Sequence, residues 1–120
     1  MTYKRLQIGK LGEQLAKELL LAKGYLLLAE NWRHPAGEID LIVREDATII
    51  FVEVRTTSSI RFGTGLESIT SRKISKLRRL AVIYMQYYHS HDHAVRFDVV
   101  SILLNRHFIL KKATHICAAF

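Results

Sequence analysis

Cysteine, proline and glycine are all scarce in this sequence of 120 residues. The single cysteine, Cys117, excludes an internal disulfide and suits a reducing compartment. With one proline, six glycines and an apolar fraction of 49%, the chain is neither a fibrous repeat nor disordered. Long hydrophobic runs are also missing, because the most apolar stretch, residues 19–29, contains Lys23 and is shorter than the ~20 residues that span a bilayer. We therefore expect no membrane partner.

The N-terminal residues lack the uninterrupted apolar segment and the small-residue cleavage site of a signal peptide, so we expect a cytoplasmic protein. Acidic residues are outnumbered: Asp and Glu total 11 against 18 Lys and Arg, which gives a net charge of +7. This excess favours a polyanionic partner, either a nucleic acid or an anionic surface. The length predicts one domain over residues 1–120, with one hydrophobic core.

The first predicted element is a helix that ends near Gly24. Its buried stripe recurs at spacings of three and four residues: Ile8, Leu11, Leu15, Leu19 and Ala22. A second stripe consists of the small residues Gly9, Gly12 and Ala16. Because glycine inside a helix costs about 1 kcal/mol relative to alanine, we expect another element to approach this second stripe closely.

Five strands and a second helix follow. The β-branched and apolar runs predict strands over residues 25–33, 38–44, 48–56, 95–104 and 108–116. Helical spacing predicts a helix over residues 71–89, with Ser71 as its N-cap. The order α-β-β-β-α-β-β predicts an α/β fold in which helices flank a mixed sheet.

Two carboxylates interrupt strands that are otherwise apolar, Asp40 in one and Glu53 in the next. Carboxylates are rarely buried unless they are paired or bind a metal ion. The short turn between these strands makes them antiparallel neighbours, so we expect the two carboxylates to converge within chelating distance. Such oxygen ligands suit Mg²⁺ or Mn²⁺. The structural alternative is that Asp40 caps a turn and that Glu53 only pairs with Arg55 at a sheet edge.

Several motifs carry a resemblance to a known family. They are Gly-x-x-Gly-Glu at 9–13, Gly-Glu-Ile-Asp-Leu-Ile at 37–42, Phe-Val-Glu-Val-Arg-Thr at 51–56, Arg-Phe-Gly at 61–63, Lys73, and Arg-Phe-Asp-Val-Val at 96–100. Together they resemble the UPF0102 (YraN-type) family over nearly the whole chain. That family looks like a branch of the PD-(D/E)XK nuclease-like superfamily, akin to archaeal Holliday-junction resolvases. The resemblance implies a restriction-endonuclease-like fold.

The resemblance also implies a role for each residue that matches the superfamily motif. Asp40 matches the first metal-binding aspartate, and Glu53 matches the glutamate of the (D/E)-x-K motif. Glu13 matches the helix glutamate that completes some of these sites, and Val54 offers its backbone carbonyl to the metal. Arg55 stands where the superfamily has lysine. Because arginine does not lose its proton in proteins, Arg55 is expected to stabilise phosphate charge or to orient water.

A basic stretch provides the candidate surface for nucleic acid. Its residues are Arg72, Lys73, Lys76 and Arg79 of the second helix, joined by Arg61 in the preceding loop. No acidic residue lies between Glu67 and Asp92, which favours phosphate contacts over the alternative of a solvated helix face. Lys73 is also a candidate to supply the lysine function that is missing at Arg55.

For the remaining aromatic, acidic, cysteine and histidine residues of interest, the sequence favours structural roles. Tyr84 and Tyr88 continue the apolar stripe of the second helix, so core positions are preferred over base stacking, for which Tyr87 is a further candidate. Asp98 is expected to form a salt bridge with Arg96 rather than to bind metal, and Cys117 is expected to be a small buried residue. The histidines at 89, 91 and 93 favour a solvated loop over a zinc site.

These patterns and the resemblance together predict a metal-dependent nuclease that acts on DNA, in preference to RNA, with branched or flapped DNA as candidate substrates. Two alternatives stay open: a non-catalytic nucleic-acid-binding module on a degenerate nuclease fold, and a protein-interaction subunit whose basic face binds an acidic partner. The similarity to resolvases also makes a homodimer conceivable.

Overall fold

The computed structural model describes residues 2–58, 69–88 and 93–120, with side chains from Arg5 onward. The elements, in chain order, are α1 (Thr2–Ala22), β1 (Leu26–His34), β2 (Gly37–Glu45), β3 (Thr48–Thr57), α2 (Ser71–Tyr88), β4 (Ala94–Leu104) and β5 (Leu110–Ile116). The predicted order α-β-β-β-α-β-β is confirmed. None of the described helices is both long enough and apolar enough to cross a membrane.

The five strands form one mixed sheet in the order β1-β2-β3-β4-β5. Only β3 and β4 run parallel, and the other neighbouring strands are antiparallel. Short turns can join antiparallel neighbours, whereas the parallel pair needs a crossover, which α2 provides. The predicted α/β class with a mixed sheet is therefore confirmed.

Each face of the sheet buries a separate hydrophobic cluster. On one face Leu20 of α1 packs with Ile50 and Val52, and on the other face Leu80 of α2 packs with Ile49 and Phe51. Successive strand residues point to opposite faces, so the continuous apolar run of β3 covers both layers. Any polar side chain in the middle of β3 is consequently enclosed by one helix layer or the other.

Helix α1 ends as its sequence predicts. Gly24 adopts φ 92°, and the amide of Tyr25 donates to the carbonyl of Leu20 (3.2 Å), while the amide of Gly24 donates to Leu21 (3.0 Å). This is the Schellman arrangement, which glycine favours because it has no Cβ. The termination lets the chain turn directly into β1.

The close approach predicted from the small-residue stripe of α1 is found at Gly12. A Cβ at this position would overlap the side chain of Thr56 in β3, with Thr56 Cγ2 only 2.7 Å away. At Gly9 a Cβ would meet none of the described atoms within 4 Å. Gly12 therefore lets α1 lie against β3, and Gly9 has no such packing role among the described residues.

Substitution by alanine is expected to change the stability of the protein in opposite directions at Gly9 and at Gly12. Gly9→Ala should raise the free energy of unfolding by about 0.5–1 kcal/mol, because alanine is the better helix former and fits without a clash. Gly12→Ala should lower it by about 1–3 kcal/mol, because α1 must move away from Thr56. Urea unfolding curves of the two variants test this, and equal effects of both would contradict the packing argument.

Two predicted details are wrong. The N-cap of α2 is Thr70 rather than Ser71, since Thr70 Oγ1 accepts the amide of Lys73 (3.1 Å) and the Thr70 carbonyl accepts the amide of Ile74 (3.0 Å). Strand β5 begins at Leu110 rather than at 108. The side chain of Asn105 accepts the amides of residues 107 and 109, which lengthens the turn, and Phe108 adopts φ 64° within it.

Candidate metal and nucleic-acid site

The site begins where the pairing of β2 and β3 ends. Regular pairing runs from Glu45 opposite Thr48 to Leu41 opposite Val52. Just beyond it, Oδ2 of Asp40 accepts the backbone N–H of Val54 at 2.8 Å. The carboxylate of Asp40 thus satisfies a backbone donor of the neighbouring strand, and its second oxygen, Oδ1, is the candidate ligand atom.

Glu53 is only 4% exposed, an unusual burial for a carboxylate. Two cations contact the same oxygen, Oε2: Nη1 of Arg55 at 3.3 Å and Nζ of Lys73 at 3.5 Å. The expected contact between Glu53 and Arg55 is therefore present, but it does not lie alone at a sheet edge, because Lys73 reaches the same group from α2.

The contact between Lys73 and Glu53 could not be predicted from the sequence. It depends on the start of α2, where Thr70 caps the amide of Lys73 and fixes the residue in the first turn of the helix. Sequence spacing assigns Lys73 to a helix near the site, but only the packing of α2 on the sheet brings its ammonium to Glu53. The side chain remains 43% exposed, so it also faces solvent.

Glu13 reaches the site from α1. Burial raises the pKa of Glu13, and the charges of Glu38 and Glu53 raise it further, while a hydrogen bond from the side chain of Asn31 opposes the shift. Asn31 adopts φ 51° within β1, a left-handed conformation that asparagine tolerates better than most residues. The sequence signal for this partner is weak, because Asn31 lies among other polar residues of β1 such as Glu30 and Arg33.

The three carboxylates interact electrostatically. Burial is the largest cause that raises the pKa of Asp40 to about 7, and the charges of Glu53 and then Glu13 add to it. The amide of Val54 and the charge of Lys73 act in the opposite direction. The charge of Glu53 is thus close enough to oppose the ionisation of Asp40. The simultaneous binding of one ion by both carboxylates stays a prediction.

The donor atoms at this position are all oxygens. Asp40, Glu53 and Glu13 offer carboxylates, and Val54 offers its backbone carbonyl. A hard cation such as Mg²⁺ or Mn²⁺ prefers such a set, and its charge would relieve the repulsion that raises the pKa of Asp40. The residues present therefore fit the predicted ion.

The predicted basic surface is exposed along α2. Arg72, Lys76 and Arg79 line a groove with Ala36 and Ser75. Among the described side chains no carboxylate forms an ion pair with any of these three cations, in contrast to Arg33, which pairs with Glu38 at 3.2 Å. The predicted contact residue Arg61 lies outside the described residues.

Asp98 anchors the C-terminal turn rather than a metal ion. It is fully buried and accepts Nε and Nη2 of Arg96 (both 2.9 Å), Nε2 of His115 (2.7 Å) and the amide of Ala118 (3.0 Å). The expected salt bridge with Arg96 is confirmed. Although Cys117 brings a third ligand type close to Asp98 and His115, the guanidinium of Arg96 already fills the position that a cation would need.

Two expectations about single side chains are wrong. Cys117 is exposed rather than buried, because it lies in the turn that follows β5, and its Sγ lies 3.8 Å from Nη2 of Arg96. Tyr84 is buried as expected, but Tyr88 is 60% exposed, because it packs on the ring of Tyr84 instead of on the sheet. His93 lines a shallow apolar groove with Phe97, and the histidines at 89 and 91 lie outside the described residues.

A family model described as "Uncharacterised protein family UPF0102" matches residues 12–102, a span that includes Glu13, Asp40, Glu53 and Lys73. The chain belongs to the UPF0102 family. Relatives named "UPF0102 protein" cover most of this UPF0102 chain. One from Moorella thermoacetica is 44% identical over 106 residues, 88% of each chain. Another from Mycolicibacterium vanbaalenii is 40% identical over 115 residues, 96% of this chain and 94% of the relative.

Proposed function

We propose that this UPF0102 protein hydrolyses phosphodiester bonds in DNA with the help of Mg²⁺ or Mn²⁺. The observation that carries the proposal is the meeting of Asp40, Glu53 and Glu13 with Lys73 at one end of the sheet, where burial raises the pKa of Asp40 to about 7. A structural ion pair would balance its charges, whereas this group holds three carboxylates against the cations Arg55 and Lys73. A bound divalent cation would supply the missing positive charge.

The chain would hold the ion through the second oxygens of Asp40 and Glu53, with the carbonyl of Val54 and the carboxylate of Glu13 completing the oxygen set. When bound, such an ion lowers the pKa of water and polarises a phosphoryl oxygen. Asp40 is kept in position by the amide of Val54, and Glu53 by two cations. These contacts orient both ligands before the substrate arrives.

Arg55 and Lys73 would act on the substrate itself. Both lie at Oε2 of Glu53, and both can donate to the non-bridging oxygens of a phosphate placed beside the ion. Arg55 presents a planar fork that never loses its charge, and Lys73 presents a compact ammonium. Lys73 thus restores an ammonium group to a site in which arginine occupies the usual lysine position.

The groove of Arg72, Lys76 and Arg79 begins next to this site, because Lys76 lies beside both Lys73 and Asp40 in one pocket and beside Arg72 in the next. Exposed cations without carboxylate partners among the described side chains are suited to a phosphate backbone. We propose DNA as the polyanion, with branched or flapped forms as substrates, on the resemblance to resolvases. A homodimer is part of the same proposal.

Arg55 favours a second candidate function, that of a DNA-binding module without catalysis. If the superfamily's lysine is essential for water activation, arginine in its place would leave metal and DNA binding without cleavage. The two candidates differ in one measurable respect, namely whether strand scission depends on the divalent ion.

The deciding experiment is a cleavage assay on linear, flapped and four-way DNA with Mg²⁺, Mn²⁺ or EDTA. Wild-type protein should cut only with a divalent ion, and Glu53→Gln should slow cleavage by about 100-fold or more, because it removes a ligand charge and the anchor of Arg55 and Lys73. Arg55→Lys should keep or raise the rate, since it retains the charge.

Glu45→Gln is the matched control, because Glu45 lies on the same strand as Asp40 but at its hairpin end, opposite Thr48, where it pairs with Arg96. It should cut at close to the wild-type rate. Equal cleavage by wild type and Glu53→Gln at every Mn²⁺ concentration would rule out this metal site. Inert wild-type protein in all three buffers, with retained DNA binding, would favour the non-catalytic module.

A further inference from the structure

A row of aromatic rings crosses from β1 to the end of α2. His34 stacks on Trp32 (5.9 Å between centroids), Trp32 meets Tyr84 edge to face (5.4 Å), Tyr84 packs on Tyr88 (4.8 Å), and Tyr88 lies 6.2 Å from Tyr87. Tyr84, in the middle of the row, belongs to the core, and Trp32 and His34 are half-buried. The end of the row on α2 is exposed, with Tyr88 60% and Tyr87 73% exposed.

Two exposed, adjacent tyrosines need an explanation, because each leaves a large apolar face in water. Tyr88 is supported from below by the buried ring of Tyr84, so its orientation is already constrained without a ligand. A planar group that stacks on these rings would bury their faces and leave the hydroxyl groups in solvent.

The same helix carries the cations of the basic groove, which have no carboxylate partner among the described side chains. Lys76 and Tyr87 are separated by about three helical turns, so they lie on the same side of α2 and about 16 Å apart along its axis. At the duplex rise of 3.4 Å per nucleotide in each strand, this distance corresponds to about five nucleotides, and to fewer in an extended strand. One polynucleotide strand along this side of α2 can therefore contact the cations and Tyr87. Tyr88 lies about 100° further round the helix, with its ring centroid 6.2 Å from that of Tyr87, so a base that stacks on Tyr87 comes close to both rings.

We propose that Tyr87 and Tyr88 form a stacking platform for unpaired bases of a nucleic-acid strand whose phosphates lie along Arg72, Lys76 and Arg79. The proposal rests on the proposed function and names its substrate class, a nucleic acid with a single-stranded segment. Aromatic side chains bind bases of any sequence in this way, because every base has a π face. Paired bases inside a duplex offer no such face.

The charges of the surface argue for this occupant over a protein. Arg72, Lys76 and Arg79 have no carboxylate partner among the described side chains, and the chain carries a net charge of +7. A polyanion that also carries planar apolar groups can pair with the cations and stack on the tyrosine rings. An acidic peptide matches the cations, but it carries a planar side chain only at certain positions, whereas every nucleotide joins a planar base to its phosphate.

Binding of two fluorescent oligomers of equal charge tests the proposal. One is an oligothymidylate of about 12 nucleotides, within the usual range of single-strand sites, and the other has the same phosphates without bases. In EDTA, which prevents metal-dependent cleavage, the wild-type protein should bind the thymidylate about 10-fold more tightly or better. Tyr87→Ala should weaken this preference, and Tyr87→Ala/Tyr88→Ala should remove it.

The matched control is Tyr87→Phe/Tyr88→Phe, which keeps the rings and should keep the preference. Because both tyrosines are mostly exposed, the alanine variants should fold, and their circular dichroism spectra verify this. The salt dependence of binding should be unchanged in all tyrosine variants, since no phosphate contact is lost.

The outcomes separate this inference from the proposed function. If wild-type protein binds both oligomers equally, or if the double alanine variant keeps the preference, the stacking platform is wrong while a phosphate-binding nuclease remains. If the wild-type protein binds neither oligomer nor any duplex, the proposed function fails and the inference fails with it.

Discussion

Asp40→Asn is expected to stabilise the metal-free protein at pH 8 by up to about 4 kcal/mol. Folding raises the pKa of Asp40 from 3.8 to about 7, chiefly by burial and then by the charge of Glu53. Each pKa unit corresponds to about 1.4 kcal/mol between the two protonation states. Asparagine removes the charge and keeps an oxygen that can accept the amide of Val54. Urea unfolding in EDTA, followed by the fluorescence of Trp32, measures the difference.

Proton linkage gives the direction in which the stability of the folded protein changes with pH. Because the folded state holds the Asp40 proton more tightly than the unfolded state, the contribution is fully present below pH 4 and is lost as the pH rises through about 7. Wild-type protein in EDTA should therefore lose stability between pH 4 and pH 8, and Asp40→Asn should lose much less. Added Mn²⁺ at pH 8 should restore stability to the wild type only.

Asp98→Asn is the matched control with the opposite sign. Burial disfavours the charge of Asp98, but hydrogen bonds from His115, Arg96 and Ala118 outweigh it and lower the pKa to about 2. Its contribution is present above pH 4 and is lost as the pH falls towards 2. Asp98→Asn should thus destabilise the protein at pH 8, by about 3 kcal/mol. A wild-type stability that is flat from pH 4 to pH 8 in EDTA would contradict the account of Asp40.

Much of the fold is predictable because its signals are local. The β-branched run of β3, the short turn before it and Gly24 after α1 are each decided by neighbouring residues, and the structure matches them to within a residue or two. The errors arise where a side chain competes with the backbone pattern. Thr70 rather than Ser71 caps α2, and the side chain of Asn105 stabilises a longer turn, so β5 begins later than predicted.

The site is predictable to a lesser degree. Asp40 and Glu53 can be identified because charges inside apolar strands are rare. The contact of Lys73 with Glu53 depends on how α2 packs over the sheet, which no sequence spacing encodes. The predicted burial of Tyr88 is wrong for a related reason. Helical spacing identifies the apolar face of α2, but a residue on that face is buried only where the helix packs on the sheet.

The largest effect on DNA binding is expected from Arg72→Ala/Lys76→Ala/Arg79→Ala. If each cation contacts one phosphate, the slope of log affinity against log salt should fall by about three units. At about 0.1 M salt this corresponds to a loss of about 100-fold or more in affinity. The loss should be similar for all sequences, because phosphate contacts carry no base information. Anisotropy titrations of a flapped DNA over a range of salt concentrations measure both quantities.

Net charge alone offers a competing explanation, and Arg106→Ala/Lys111→Ala/Lys112→Ala separates the two. This control removes the same three charges from exposed positions next to and within β5, at the opposite edge of the sheet from β1. If α2 binds the phosphates, the control should keep nearly the wild-type slope, because only cations that displace condensed counterions contribute to it. Equal slopes for the two triple variants would mean that the protein binds DNA through its overall charge, and that the face of α2 is merely solvated.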